Sequence, residues 1–182
     1  MAGSRRQQRA WMRGAQSGSA ADFEALFREH WSRAYRAAYL VVHDAAAAED
    51  IAQEGFLAAM RVLDRFDRRR PFGPWLHRIV VNRAIDWARA RSLRGEVFAE
   101  SLLEVAAPAV EAPVSRGPYD DTTVAALAEL SPEHRAVIVL RYLLEYTPGE
   151  IASLLDLPRG TVNSRLRRGL DALAGRLQEE ER

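Results

Sequence analysis

The stretch 147–173, TPGEIASLLDLPRGTVNSRLRRGLDAL, limits the possible folds of this chain more than any other. Thr147 is a good N-cap type, Pro148 suits a first helical position, and Glu150 stands three residues after the cap, as a capping box requires. Ile151, Ala152 and Leu155 form one apolar face. Asp156 tolerates the left-handed backbone that ends a short helix, Leu157 plugs the gap, and Pro158 cannot continue the helix. A second helix then carries Val162, Leu166, Leu170 and Leu173 inward at helical spacing. Its other face presents Arg159, Thr161, Asn163, Ser164, Arg165, Arg167 and Arg168. Arg reads guanine, Asn reads adenine, and further cations hold phosphates. The pair is therefore read as a helix-turn-helix suited to a DNA major groove. A helical hairpin with a solvated basic face is the plainer alternative.

The charge pattern says that this is not the only basic surface. The net charge of +1 hides strong segregation. Residues 61–94 hold ten Arg against three acids, whereas 22–60 hold seven acids against three Arg, and 95–121 hold six acids against one Arg. All the cationic side chains are Arg, which suits phosphate and base-edge contacts better than Lys. No run of about 18 apolar residues exists, so no membrane insertion is expected. The first twenty residues lack the apolar core of a secretion signal, and cysteine is absent, so a cytoplasmic location fits. His30, His43, His77 and His134 show no metal-ligand spacing and pair with no carboxylate cluster, so no metal, cofactor or catalytic site is expected.

Periodicity gives an all-α architecture with two small helical domains. Residues 1–18 are basic and polar, with Trp11 isolated, and are expected to be a disordered tail. Domain one spans 19–94. Its first helix is capped by Ser19 or Asp22 and buries Phe23, Leu26, Phe27, Trp31, Ala34, Ala38 and Val41. Asp44 caps a second helix with an apolar line of Ala48, Ile51, Ala52, Phe56, Ala59, Met60 and Leu63. A third starts near residues 72–74 and buries Trp75, Leu76, Ile79, Val80, Ala84 and Trp87. Residues 95–121, with Pro108, Pro113 and Pro118, read as an acidic flexible linker. Domain two spans 122–178 and ends in the helix-turn-helix, with Ser131-Pro132 starting an earlier helix.

On the third helix, Arg78, Asn82, Arg83, Arg89 and Arg91 lie away from the apolar stripe, and the preceding loop adds Arg68, Arg69 and Arg70 between Phe66 and Phe72. Cations beside aromatic rings and a side-chain amide suit single-stranded DNA: charge for the backbone, rings for stacking, an amide for a base edge. A base offered to Asn82 has to leave the stack. Core packing is the plainer role for Phe66 and Phe72.

Two stretches then resemble one family. DAAAAEDIAQEGFLAAMRVLDRF followed by RRRPFGPWLHRIVVNRAIDWARA is similar to region 2 of bacterial sigma factors of the extracytoplasmic-function group. LAELSPEHRAVIVLRYLLEYTPGEIASLLDLPRGTVNSRLRRGLDAL is similar to their region 4. The resemblance covers about residues 20–94 and 122–176, in the family's order. It implies a promoter-specificity subunit of RNA polymerase, with no catalysis of its own. It implies that Glu49, Asp50, Gln53 and Glu54 face the clamp helices of the polymerase's largest subunit, and that region 4 meets the flap of the second-largest subunit. Asn82 matches the position that reads an unstacked minus-10 base, and 66–72 the specificity loop around it. Arg78, Arg83 and Arg89 then hold the DNA backbone. Arg159, Thr161, Asn163, Ser164, Arg165, Arg167 and Arg168 match the helix that reads duplex minus-35 DNA. An anti-sigma factor is an implied partner. The loop RRRPFGP departs from the family's usual Gly-polar-Ser/Thr segment, so the family's base preference is not carried over to it, and Asp156 stands at the usual turn Gly.

A stand-alone helix-turn-helix regulator is the alternative reading. It requires a dimer on palindromic sites and an effector pocket in domain one, for which the sequence carries no signal.

Overall fold

The structure, a computed structural model, describes residues 2–93 and 121–180. Among them there is no strand. Helices α1 (Ala2–Gln16), α2 (Ala20–Val42), α3 (Ala45–Arg61) and α4 (Phe72–Leu93) form a first lobe. Helices α5 (Asp121–Ala128), α6 (Pro132–Ile138), α7 (Pro148–Leu155) and α8 (Arg159–Glu180) form a second. A 3-10 turn, Leu63–Arg65, leads from α3 into the loop before α4. The expected linker lies, up to residue 120, outside the described residues.

The helix starts follow their caps. Ser19 and Asp44 accept bonds from the backbone N–H three residues on, starting α2 and α3. Leu26, Ala34, Ala38 and Val41 of α2 pack with Ile51, Phe56 and Ala59 of α3 and Leu76, Val80 and Ala84 of α4. Gly55 permits close approach of α3 and α4, since a Cβ there would lie 2.5 Å from Val80 Cγ2. Phe56 meets Phe27 at 4.7 Å between ring centroids, and Phe27 stacks on Trp31 at 4.8 Å.

Two sequence expectations change here. The segment 1–18 is not a disordered tail: α1 runs along α2 and buries Met12, with Trp11 and Ala15 against the core. Its other inward residues are amides, with Gln8 beside His30 and Gln16 bonded to the 3-10 turn that follows α3. Hydrogen bonds substitute for some of the missing apolar residues, and the segment's strongly polar composition, rather than a lack of helical periodicity, is what makes it read as a tail. The second change is Met60, placed in the buried line of α3 but 47 % exposed. It shares an outer stripe with Leu57, also 47 % exposed.

The lobes share one buried apolar cluster and also meet through a seam of polar contacts. α2 ends at His43 in the left-handed region (φ 54°, ψ 35°), leaving the last carbonyls of the helix without helical partners. Arg135 of α6, 3 % exposed, fills that need. Its guanidinium donates to Val41 O, to Leu130 O at 2.8 Å, and to His43 Nδ1 at 3.0 Å. His43 Nε2 then bonds Val124 O of α5 at 3.0 Å. The imidazole is therefore neutral, with its proton on Nε2: it accepts at one nitrogen and donates at the other. A π-helical turn, Val139–Leu143, continues α6 and sets the position of Tyr146, whose hydroxyl lies 2.7 Å from His77 Nδ1 on α4. His77 is 4 % exposed.

Burial, with Arg135 alongside, pushes His43 from 6.5 down to about 4, and burial pushes His77 down to about 3. The unfolded chain therefore binds protons between pH 6.5 and about 4 that the compact state refuses, so stability falls as pH drops through that window. Denaturation midpoints measured across it should decline toward acid. His43→Asn, which tolerates the left-handed backbone and keeps an acceptor for Arg135, should flatten the decline. An unchanged pH slope in that variant would contradict the assignment of His43 to the seam.

Candidate nucleic-acid interface

The helix-turn-helix forms as its residues dictate. Thr147 Oγ1 accepts from Glu150 N at 3.3 Å, and Glu150 Oε2 accepts from Thr147 N at 2.8 Å and Thr147 Oγ1 at 2.7 Å. This capping box holds the Glu150 carboxyl below the usual carboxylate range, chiefly through the Thr147 backbone N–H. Asp156 ends α7 at φ 54°, ψ 48°, and its neighbour's N–H closes the turn onto Ala152 O at 2.9 Å. Within α7 Ile151 is buried as expected, but its buried companion is Leu154, while Ala152 and Leu155 are half-buried. Val162 and Leu166 anchor α8, with Leu173 packed at the core's edge. Gly169 lets α8 lie close on α6: a Cβ there would sit 3.0 Å from Ile138 Cδ1 and 3.3 Å from His134 Cβ.

The outward face of α8 then carries Arg159, Asn163, Arg167 and Arg168, all exposed, with Thr161, Ser164 and Arg165 half-exposed beside them. None of its four arginines makes an ion pair among the described residues. Unpaired guanidiniums and an amide on one rigid face form an anion-binding surface with base-edge donors.

The second surface is arranged differently. On α4, Arg78, Asn82 and Arg89 fall on one stripe, as spacings of four and seven require. The second lobe covers both ends of that stripe. Arg89 Nε donates to Glu133 Oε1 at 2.6 Å, and Arg78 Nη1 reaches Ser153 O at 3.5 Å. Asn82 lies half-buried between them. Arg83 points elsewhere, 3.8 Å from Glu54 on α3. Arg91, expected among the outward cations, instead turns inward and bonds the α3 cap Asp44 at 2.7 Å.

The loop before α4 exposes Arg68, Arg69 and Arg70. Asp67 shapes it, taking Arg69 N on its carboxylate at 2.9 Å and Arg70 N on its carbonyl at 2.9 Å. Its two phenylalanines are not free rings. Phe66 is 9 % and Phe72 1 % exposed, and Phe66 packs 4.5 Å from Trp75. Their stacking partners are each other and Trp75, so the expectation that Phe66 and Phe72 stack on bases is corrected: they fix the ends of the loop in the core. The sequence offered one sign of this, since both flank a segment with no other apolar residue between them except Pro71.

On α3, Asp50, Gln53 and Glu54 are exposed and Glu49 half-buried, with Gln53 bonding Glu49 at 3.2 Å. Leu57 and Met60 continue this stripe, so an acidic strip runs into an exposed apolar one. The residues that sequence reasoning missed are Arg135 and His43, whose roles depend on partners about ninety positions away. No helix among the described residues is long and apolar enough to cross a membrane. No cluster among them has the makings of a metal site.

Comparison with known proteins agrees with this division. Residues 26–94 match the family model of Sigma-70 region 2, and residues 122–173 that of Sigma-70 region 4. The chain is 33 % identical over 169 residues to the ECF RNA polymerase sigma factor SigW of Bacillus subtilis, covering 87 % of this chain and 89 % of that one. It is 37 % identical over 171 residues to the ECF sigma factor SigL of Mycobacterium tuberculosis, covering 91 % and 94 %. The solved structure of CnrH in complex with the cytosolic domain of CnrY superposes with a TM-score of 0.69 at 28 % identity, covering 95 % of this chain and 98 % of that one. With both regions present and relatives matched along nearly their whole length, the chain belongs to the extracytoplasmic-function group of RNA polymerase sigma factors, the non-catalytic subunits that direct transcription initiation.

Proposed function

We propose that the two lobes divide promoter reading between them. α8 enters the major groove of duplex minus-35 DNA, with Arg165, Arg167 and Asn163 toward base edges and Arg159 and Arg168 on phosphates. The 66–72 loop and Asn82 receive an unstacked base of the melted minus-10 strand, with Arg78 and Arg89 on its backbone. The observation that carries this reading is the unpaired Arg and Asn face of α8, held at a fixed angle by a capped helix and tight turn.

Core polymerase is met on α3. Asp50, Gln53 and Glu54 offer charge to a basic clamp surface, and Leu57 and Met60 offer apolar area that nothing covers among the described residues. Region 4 meets the polymerase flap. The compact arrangement is then the resting form. Glu133 and Ser153 occupy Arg89 and Arg78, so the minus-10 reader works only after the seam opens on polymerase. A partner that favours the closed form acts as an anti-sigma factor; the similar protein CnrH forms a complex with the cytosolic domain of CnrY. The chain itself works in the cytoplasm, where polymerase is.

The direct test adds the purified chain to core polymerase and a promoter library, and specific initiation is the expected result. Tight duplex binding by the chain alone, with no initiation, would instead favour a stand-alone regulator. Asn82→Ala should lower open-complex formation while core binding stays intact, and permanganate footprinting reads the melted strand. Arg167→Ala should weaken minus-35 use by about 1–3 kcal/mol if it reads a base edge. Equal weakening across all minus-35 sequences would mark a phosphate contact. Reversing charge at Asp50 and Glu54 together should reduce core binding in a pull-down, and full retention would exclude α3 as the docking face.

A further inference from the structure

We propose that Gln16, on the N-terminal helix, is a positioning residue for the minus-10 specificity loop, so that α1 is part of the promoter-reading apparatus. The inference rests on the proposed role of that loop. Gln16 Nε2 donates both of its hydrogens across the fold, to Leu63 O at 2.8 Å and to Phe66 O at 3.0 Å. Those two carbonyls bracket the 3-10 turn from which the loop departs. Phe66 is also the loop's anchor, its ring packed on Phe72 and Trp75. One residue is thus clamped twice, by its ring from α4 and by its carbonyl from α1.

The clamp is only as rigid as the helix that carries it, and α1 is fixed at both ends of its inner face. Met12 is 3 % exposed, with Trp11 and Ala15 against the core, and Gln8 meets His30 of α2. Immediately after Gln16, Ser17 N bonds Gly14 O at 2.9 Å and Ser19 N bonds the same carbonyl at 2.9 Å. Gly18 takes the left-handed φ of 88° that this reversal needs, and Ser19 then caps α2. The amide is therefore held by a turn welded to α2, not by a loose tail. The physical consequence is local. After Phe66 the loop has only the Asp67 turn to shape it, with Arg68, Arg69 and Arg70 all exposed. Where it aims depends on the direction in which the chain leaves Phe66, and the two amide bonds set that direction.

The test uses Gln16→Met, which keeps the side chain's volume and removes both donors, with Gln16→Ala as a second variant. In the full chain, trypsin cleavage after Arg68 and Arg69, followed by mass spectrometry, should quicken about five-fold, the scale of one net hydrogen bond. In reconstituted holoenzyme, the ratio of initiation between preferred and altered minus-10 sequences should fall by a similar factor, while core affinity and minus-35 dependence stay at the wild-type level. Arg69→Ala with Arg70→Ala provides the reference for the loop. If the loop variant changes minus-10 discrimination and Gln16→Met does not, the role of Gln16 is overturned and the base-reading role of the loop stands. If Gln16→Met lowers initiation equally at every minus-10 sequence, the residue is merely structural and the proposal fails. If the loop variant leaves discrimination unchanged, the loop is not the reader and the inference falls with it.

Discussion

The arrangement of this molecule depends on one buried guanidinium. Arg135 sits where the C-terminus of α2 would otherwise leave carbonyls without partners, and it takes Val41 O, Leu130 O and His43 Nδ1 together. A cation this deep is tolerable only when its donors are satisfied and stay satisfied. Its burial lowers its own basicity to about 10, yet it remains charged at neutral pH. The dipole of α2 favours a cation at that end as well. The second lobe thus completes the first: its α6 adds a partner for Val41 O beyond the left-handed cap that His43 already provides through Tyr39 O. These polar contacts sit within an apolar cluster that both lobes share, so separating the lobes exposes polar and apolar surface alike. A wholly apolar seam would hold the lobes far more permanently.

How much of this was legible in the sequence follows from the range of the forces involved. The helix-turn-helix was legible because its signals are local: Thr147, Pro148 and Glu150 lie within four residues, and Asp156 needs only its own backbone. Ser19 and Asp44 were legible for the same reason. α1 was not, because its composition is strongly polar and basic and so reads as a tail, although its few apolar residues, Trp11, Met12 and Ala15, pack on the core. Phe66 and Phe72 illustrate a different limit. Residue type and loop position suited both stacking on bases and packing in a core, and only the neighbouring Trp75 decided between them. Met60 went the other way, since a helical stripe cannot tell which flank of an apolar face is left uncovered. The seam was out of reach altogether. Arg135, His43 and Tyr146 look ordinary until α6 is laid on α2.

The two basic surfaces also differ in how they are kept ready. On α8 the arginines of the outward face make no ion pair among the described residues, so on the proposed function the helix meets DNA with little rearrangement among its own side chains. On α4 the corresponding groups are engaged: Arg89 with Glu133, Arg83 with Glu54, Arg91 with Asp44. Glu133 is held ionised by Arg89, its carboxyl below the usual range despite partial burial. Such pairs hold an Arg in an extended rotamer at modest cost and release it when a phosphate competes.

Arg89 has one further consequence. On the proposed function it answers to two acceptors that it cannot satisfy at once: the Glu133 carboxylate of its own chain and a nucleic-acid strand. Every change that tightens the first weakens the second by the same free energy, because both are measured from a single open state. The reading helix and the helix that covers it therefore cannot drift independently through mutation. A gain in promoter affinity made at position 89 alters how far the chain silences itself, and position 133 is where that imbalance can be redressed without touching DNA.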